Sequence, residues 1–229
     1  MAANLHDRRF PNETAAYRSA RDTLLKSEIA LRRQIEAVAA QRRAMPEGGE
    51  VLEDYLFEEG DPPRKVRLSE LFDARDTLVA YSFMYGPEAE KACPMCTAML
   101  DGLNGNMPHI AERTNLVVIA KSPIARTRAY ARSRGWSNLR LLSSAGTTYN
   151  RDYFGENPQG QQIPSLNVFV RRGGKIRHWY ATEMLFADAD PGQNNRHVDL
   201  VWPLWNLLDL TPEGRGETWY PKLDYAAGG

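Results

Sequence analysis

The chain has 229 residues, 42% of them hydrophobic and 25% charged, which suits one sizeable globular domain with additions. Lys plus Arg equals Asp plus Glu at 29 each, so no global field draws the chain to nucleic acid or to an anionic membrane. No apolar run approaches the roughly 20 residues that span a bilayer, and residues 1–11 carry no hydrophobic signal core, so the expected location is the cytoplasm.

Residues 12–44 carry a helical pattern. Asn12 can cap it, and Tyr17, Ala20, Leu24, Leu31, Ile35 and Val38 recur at spacings of three, four or seven. The other face is basic and reads as solvated, and the apolar stripe either docks on the rest of the chain or pairs with a second copy, making a homodimer. Pro46 and Gly48–Gly49 end the helix and mark a linker. The expected division is therefore a helical extension, 1–48, and one domain, 49–229.

In that domain, 51–57 and 66–68 read as short edge strands around a polar turn. Ser69 can cap one helical turn, and 77–85 is an almost unbroken apolar run, as in a strand buried on both faces. A helix follows the cysteines, with Gly102, Gly105 and Pro108 expected to bend or interrupt it. A second buried strand covers 115–120, a helix 124–134 closes at Gly135, and 139–142 is strand-like. Residues 143–162 read as a long loop with one turn near 149–154. A hairpin follows, with strands at 165–171 and 175–180 around Gly173–Gly174. A loop at 182–196 leads to a last helix, capped by Asp199 and stopped at Thr211–Pro212. The order implies an α/β fold: a central mixed sheet flanked by helices.

The only two cysteines, in Cys93-Pro94-Met95-Cys96, stand between the first buried strand and the helix after it. A disulfide closing so short a loop adds little to a chain with a large core. In a reducing compartment, catalysis and metal binding are the remaining uses. One cysteine pair lacks the four ligands of a closed zinc site, though a histidine (His109, His178 or His197) can supplement it in a metal-binding alternative.

Three features together resemble the thioredoxin-like superfamily: the dithiol between strand and helix, Ile163-Pro164-Ser165 directly before a strand and hairpin, and the element order. Leu68-Ser69-Glu70-Leu71-Phe72 and Lys121-Ser122-Pro123 are similar to the peroxiredoxin branch, and the whole chain to a thioredoxin-like family catalogued as a domain of unknown function. The resemblance implies a thioredoxin-like fold over about 50–210, with the long N-terminal helix added. It also implies a cis Ile163–Pro164 bond beside the sulfurs, where Ile163 and Pro164 would bind an extended substrate segment. The departures are specific. No carboxylate lies in the strand below the dithiol, and Glu90 stands where peroxiredoxins set Thr or Ser, three residues before the reactive cysteine.

With Cys93 at the N-cap and Pro94 at N1, the free N–H groups of the first turn face the Cys93 sulfur and favour its thiolate. Cys93 is thus the expected nucleophile and Cys96 the resolving cysteine. Lys91 would help the thiolate, and Glu88 and Glu90 would oppose it. The expected activity is thiol–disulfide exchange with a protein or small-molecule substrate and no cofactor, with a thiol peroxidase or a non-enzymatic binding protein as alternatives.

Overall fold

A computed structural model describes residues 5–225. The chain divides into two units, Met1–Pro46 and Glu47–Gly229.

The first unit holds one helix, α1 (Ala15–Ala44). Its cap is Thr14, whose hydroxyl accepts the Tyr17 N–H at 3.1 Å. Asn12 lies two residues earlier, in a turn at φ 60°. Asparagine tolerates that left-handed conformation, which is why it marks the turn and not the cap. No residue of α1 is buried, and Tyr17, Leu24, Leu31 and Ile35 stand exposed along it.

The second unit is built on a seven-stranded sheet of β1 (Leu56–Glu59), β2 (Arg64–Arg67), β3 (Thr77–Phe83), β4 (Asn115–Ala120), β5 (Arg140–Ser143), β6 (Leu166–Arg172) and β7 (Lys175–Ala181). The strand order is β2-β1-β5-β4-β3-β6-β7. β3, β4 and β5 are parallel neighbours, and β6 runs antiparallel to β3. Helix α2 (Pro94–Ala111) joins β3 to β4, α3 (Ile124–Arg134) joins β4 to β5, and α4 (Tyr149–Asp152) and α5 (Pro203–Leu208) complete the set. This is the thioredoxin-like fold, with the dithiol leading from the central strand into its crossover helix.

Strand alternation sorts the core onto two faces. Tyr81, Phe83, Val118 and Ala120 pack under Met99, Leu100 and Leu103 of α2, together with Trp202 and Trp205. Leu78, Ala80, Val117 and Ile119 face the other way, onto Phe57, Leu71, Phe72 and Tyr149.

Several sequence expectations shift. Residues 51–55 are not strand. Instead the Val51 N–H donates to the Ile176 carbonyl at 2.9 Å and the Gly49 carbonyl accepts the His178 N–H at 2.9 Å, so residues 49–51 cover part of the free edge of β7. Helix α2 runs through Pro108 without interruption. A proline there strands the carbonyl four residues back, and that carbonyl, of Asn104, accepts from the Asn138 side-chain amide at 3.1 Å.

The Ile163–Pro164 bond is a correction. Among the described residues the cis bond is Asp61–Pro62, in the β1–β2 turn, and Ile163–Pro164 is trans. Sheet pairing already includes Ser165, whose carbonyl accepts the Ser82 N–H at 2.8 Å, and the Ile163 N–H donates to the Gly155 carbonyl at 2.9 Å. The chain therefore enters β6 extended, held on both sides of the proline.

Candidate active site: a dithiol at the start of α2

The site begins at the end of β3. The Met84 carbonyl accepts the Cys93 N–H at 3.1 Å, which closes 84–93 into a loop and sets Cys93 as the N-cap of α2. Pro94 fills N1, where no N–H is missed. The Cys96 N–H donates to the Cys93 sulfur at 3.5 Å, within the range for a sulfur acceptor.

Both cysteines carry free thiols, Cys93 partly exposed and Cys96 buried. Their acidities diverge. The Cys96 thiol donates to the Cys93 sulfur, as do the backbone N–H groups of Cys96 and Met95, and together they lower the Cys93 pKa to about 6. Cys96 is pushed well above its ordinary value, first by that same hydrogen bond and then by burial. One sulfur is thus poised as thiolate and the other as its proton-bearing neighbour.

Beneath Cys96 lies Tyr81, fully buried in β3 on the face that α2 covers. Its hydroxyl donates to the Cys96 sulfur. The absence of a carboxylate in this strand was legible in the sequence, but the role of Tyr81 was missed. The available signal was a phenol in a strand buried on both faces, where its hydroxyl must find a partner.

Arg126, on α3, is built into the site. Its guanidinium donates to the carbonyls of Gly86 at 3.3 Å, Pro87 at 2.7 Å and Ala89, and it lies 4.4 Å over the Tyr85 ring. Ser122 adds its hydroxyl to the Gly86 carbonyl at 2.9 Å. The loop between β3 and Cys93 is therefore fixed by a fork of donors from the next crossover.

A cleft of about 610 Å³ opens at Cys93, walled by residues 84, 86–89 and 91–94 and by Lys121, Gly160, Gln162 and Leu223. Lys121 pairs with Glu156, and the Gln162 side chain accepts from Asn150 at 3.2 Å. Lys91 and Glu88 border this cleft, whereas Ile163 and Pro164 are not among its lining residues. Among the described residues no three His, Cys, Asp or Glu side chains converge as a metal site requires. His178 instead hydrogen-bonds Asn167 at 2.9 Å, and burial lowers the His197 pKa.

A family model described as "Bacterial protein of unknown function (DUF899)" matches residues 8–225. The chain belongs to that family. The match spans both α1 and the dithiol domain, and its description names no substrate. No curated protein matches the chain. Among solved structures, peroxidoxin BcpB from Mycobacterium tuberculosis is similar at 21% identity and TM-score 0.43, over 69% of this chain and 94% of that one. A peroxiredoxin-like protein from Aquifex aeolicus is similar at 14% and 0.42, over 60% and 75%. The reduced 2-Cys peroxiredoxin of Plasmodium vivax is similar at 14% and 0.42, over 59% and 81%. Among the described residues no helix is long and apolar enough to cross a membrane.

Proposed function

We propose that this member of the family is a thiol–disulfide oxidoreductase working through Cys93 and Cys96 in a reducing compartment such as the cytoplasm. The observation that carries the reading is the split acidity of the pair, a Cys93 pKa of about 6 beside a buried, protonated Cys96. The Cys93 thiolate attacks a substrate disulfide, forms a mixed disulfide with one half and releases the other as a thiolate. Cys96 then gives up its proton to the departing sulfur and attacks Cys93, closing the Cys93–Cys96 disulfide and freeing the second half as a thiol. Two electrons have passed to the substrate, and an external dithiol returns them.

The test is disulfide reduction with a dithiol donor. Cys93→Ser abolishes turnover, and Cys96→Ser accumulates the mixed disulfide on Cys93, seen as a mass adduct. Full activity in both variants would sink the reading. The same assay with hydroperoxide in place of disulfide separates a peroxidase, in which Cys93 would pass through a sulfenic acid before Cys96 condenses with it and releases water.

A further inference from the structure

The cleft at Cys93 has one wall that comes from far along the chain. Residues 215–225 return to the domain and are fastened at both ends. Arg215 pairs with Asp199 at 3.0 Å and Asp209 at 2.5 Å and lies over Trp205 at 5.3 Å. Trp219 and Tyr220 pack edge-on against the same Trp205 ring, at 5.9 and 6.2 Å between centroids. Pro221 is buried. Beyond it the Leu223 carbonyl accepts from the Arg134 guanidinium at 2.8 Å, and Arg134 is itself held by Asp101 at 2.5 Å. At the second of these anchors Leu223 lines the cleft that holds Cys93.

A second feature points the same way. A dithiol that acts on protein chains needs main-chain groups beside it that can pair with an extended segment. In 163–165 two such groups are already engaged and a third is missing. The Ile163 N–H goes to the Gly155 carbonyl and the Ser165 carbonyl to the Ser82 N–H, at 2.9 and 2.8 Å. Pro164 has no N–H to offer. Cys93 lines a cleft whose surface is largely carbon, from Met84, Pro87, Ala89, Ala92, Pro94 and Leu223.

The structure assigns the C-terminal strap, through Leu223, as the size filter of the Cys93 cleft, admitting small disulfides and excluding disulfides of folded proteins. The substrate class rests on the oxidoreductase reading; the filter itself does not.

The experiment has two arms on the reduced full-length chain. In the first, Cys93 is alkylated by N-ethylmaleimide and by a maleimide bearing a polyethylene glycol chain, which share one chemistry and differ in bulk. Leu223→Ala is expected to narrow the rate gap between the reagents about tenfold, and Leu223→Trp to widen it, the scale on which an apolar wall discriminates. An unchanged gap in both variants, with circular dichroism confirming the fold, overturns the filter. In the second arm, bis(2-hydroxyethyl) disulfide is expected to be reduced far faster than oxidised insulin, with the preference relaxing in Leu223→Ala. Equal rates on the two substrates overturn the substrate class. If neither is reduced while the alkylation gap still responds to Leu223, the filter stands and the oxidoreductase reading fails.

Discussion

The Tyr81 hydroxyl donates to the Cys96 sulfur from beneath, so Cys96, the resolving cysteine of the proposed reaction, is held between a phenol in β3 and the Cys93 sulfur above it. A buried thiol that must ionise to attack is disfavoured by desolvation. A hydrogen bond donated to the developing thiolate offsets part of that cost. Net worth for such a bond is about 1 kcal/mol, or a little more to a charged acceptor. Tyr81→Phe is therefore expected to slow closure of the Cys93–Cys96 disulfide about five- to tenfold, the factor that about 1–1.4 kcal/mol gives. Stopped-flow release of the second half of a chromogenic disulfide measures it. The first attack by Cys93 should be unchanged, and a loss confined to that first step would contradict the assignment.

Cys93 titrates first. With a pKa of about 6, its thiolate fraction rises as pH rises through 6 and is nearly complete above neutrality. The alkylation rate should follow that curve and flatten by about pH 7.5, whereas an ordinary cysteine would still be climbing through about 8.5. Removing the Cys96 thiol by Cys96→Ala takes away the largest stabilising hydrogen bond, so the midpoint should move upward. A wild-type midpoint near the ordinary cysteine value would remove the basis for assigning Cys93 as nucleophile.

The sequence carried the backbone of this site further than its side chains. Local signals were strong where the dithiol sits: an apolar strand, a proline at N1 and a glycine closing α3 at Gly135, in the left-handed region at φ 71°. They specify β3, β4 and α3 to within two residues and the start of α2, though not its unbroken run through Pro108. The Ile163–Pro164 geometry was not local. It depends on Gly155, eight residues earlier, and on Ser82, across the sheet, capturing the chain on either side. Arg126 was legible only as one of several arginines on a helix, because its partners are carbonyls, which no residue pattern advertises. Leu223 reaches the cleft through tertiary anchoring at Trp205 and Arg134. No periodicity marks such a residue.

Arg126 should act on the site through the loop it grips. Arg126→Met keeps the aliphatic stem but leaves the Pro87 and Ala89 carbonyls without this donor and removes the cation over Tyr85. With charge-assisted bonds worth about 1.5–3 kcal/mol each in good geometry, and this side chain only partly buried, a loss near 2 kcal/mol is expected. Lysine cannot reproduce a planar fork that reaches three carbonyls, so Arg126→Lys should recover less than half of the loss. Urea unfolding measures the stability. The Cys93 alkylation midpoint, read on the same variants, should drift upward as the 84–93 loop loosens, which a stability defect elsewhere would not produce.

Gly155 bears on the other wall of the cleft. A Cβ at this position would lie 2.9 Å from the Ser82 hydroxyl, closer than a carbon sits, and a tight 3.1 Å from the Asn150 amide nitrogen. Ser82 and Asn150 are both buried, and Asn150 already serves Gln162 at 3.2 Å, so neither has free room to retreat. Gly155→Ala should therefore cost about 1–3 kcal/mol, the usual range for overpacking. The strain has one soft outlet, the 156–162 loop. Moving it would draw Gln162 from the cleft wall and pull Glu156 from Lys121. The expected signature is a lower thermal midpoint together with faster alkylation of Cys93 by bulky maleimides. A variant that lost stability with the reagent preference intact would place the strain in the β3–β6 ladder, where Ser82 meets Ser165, and not in the loop.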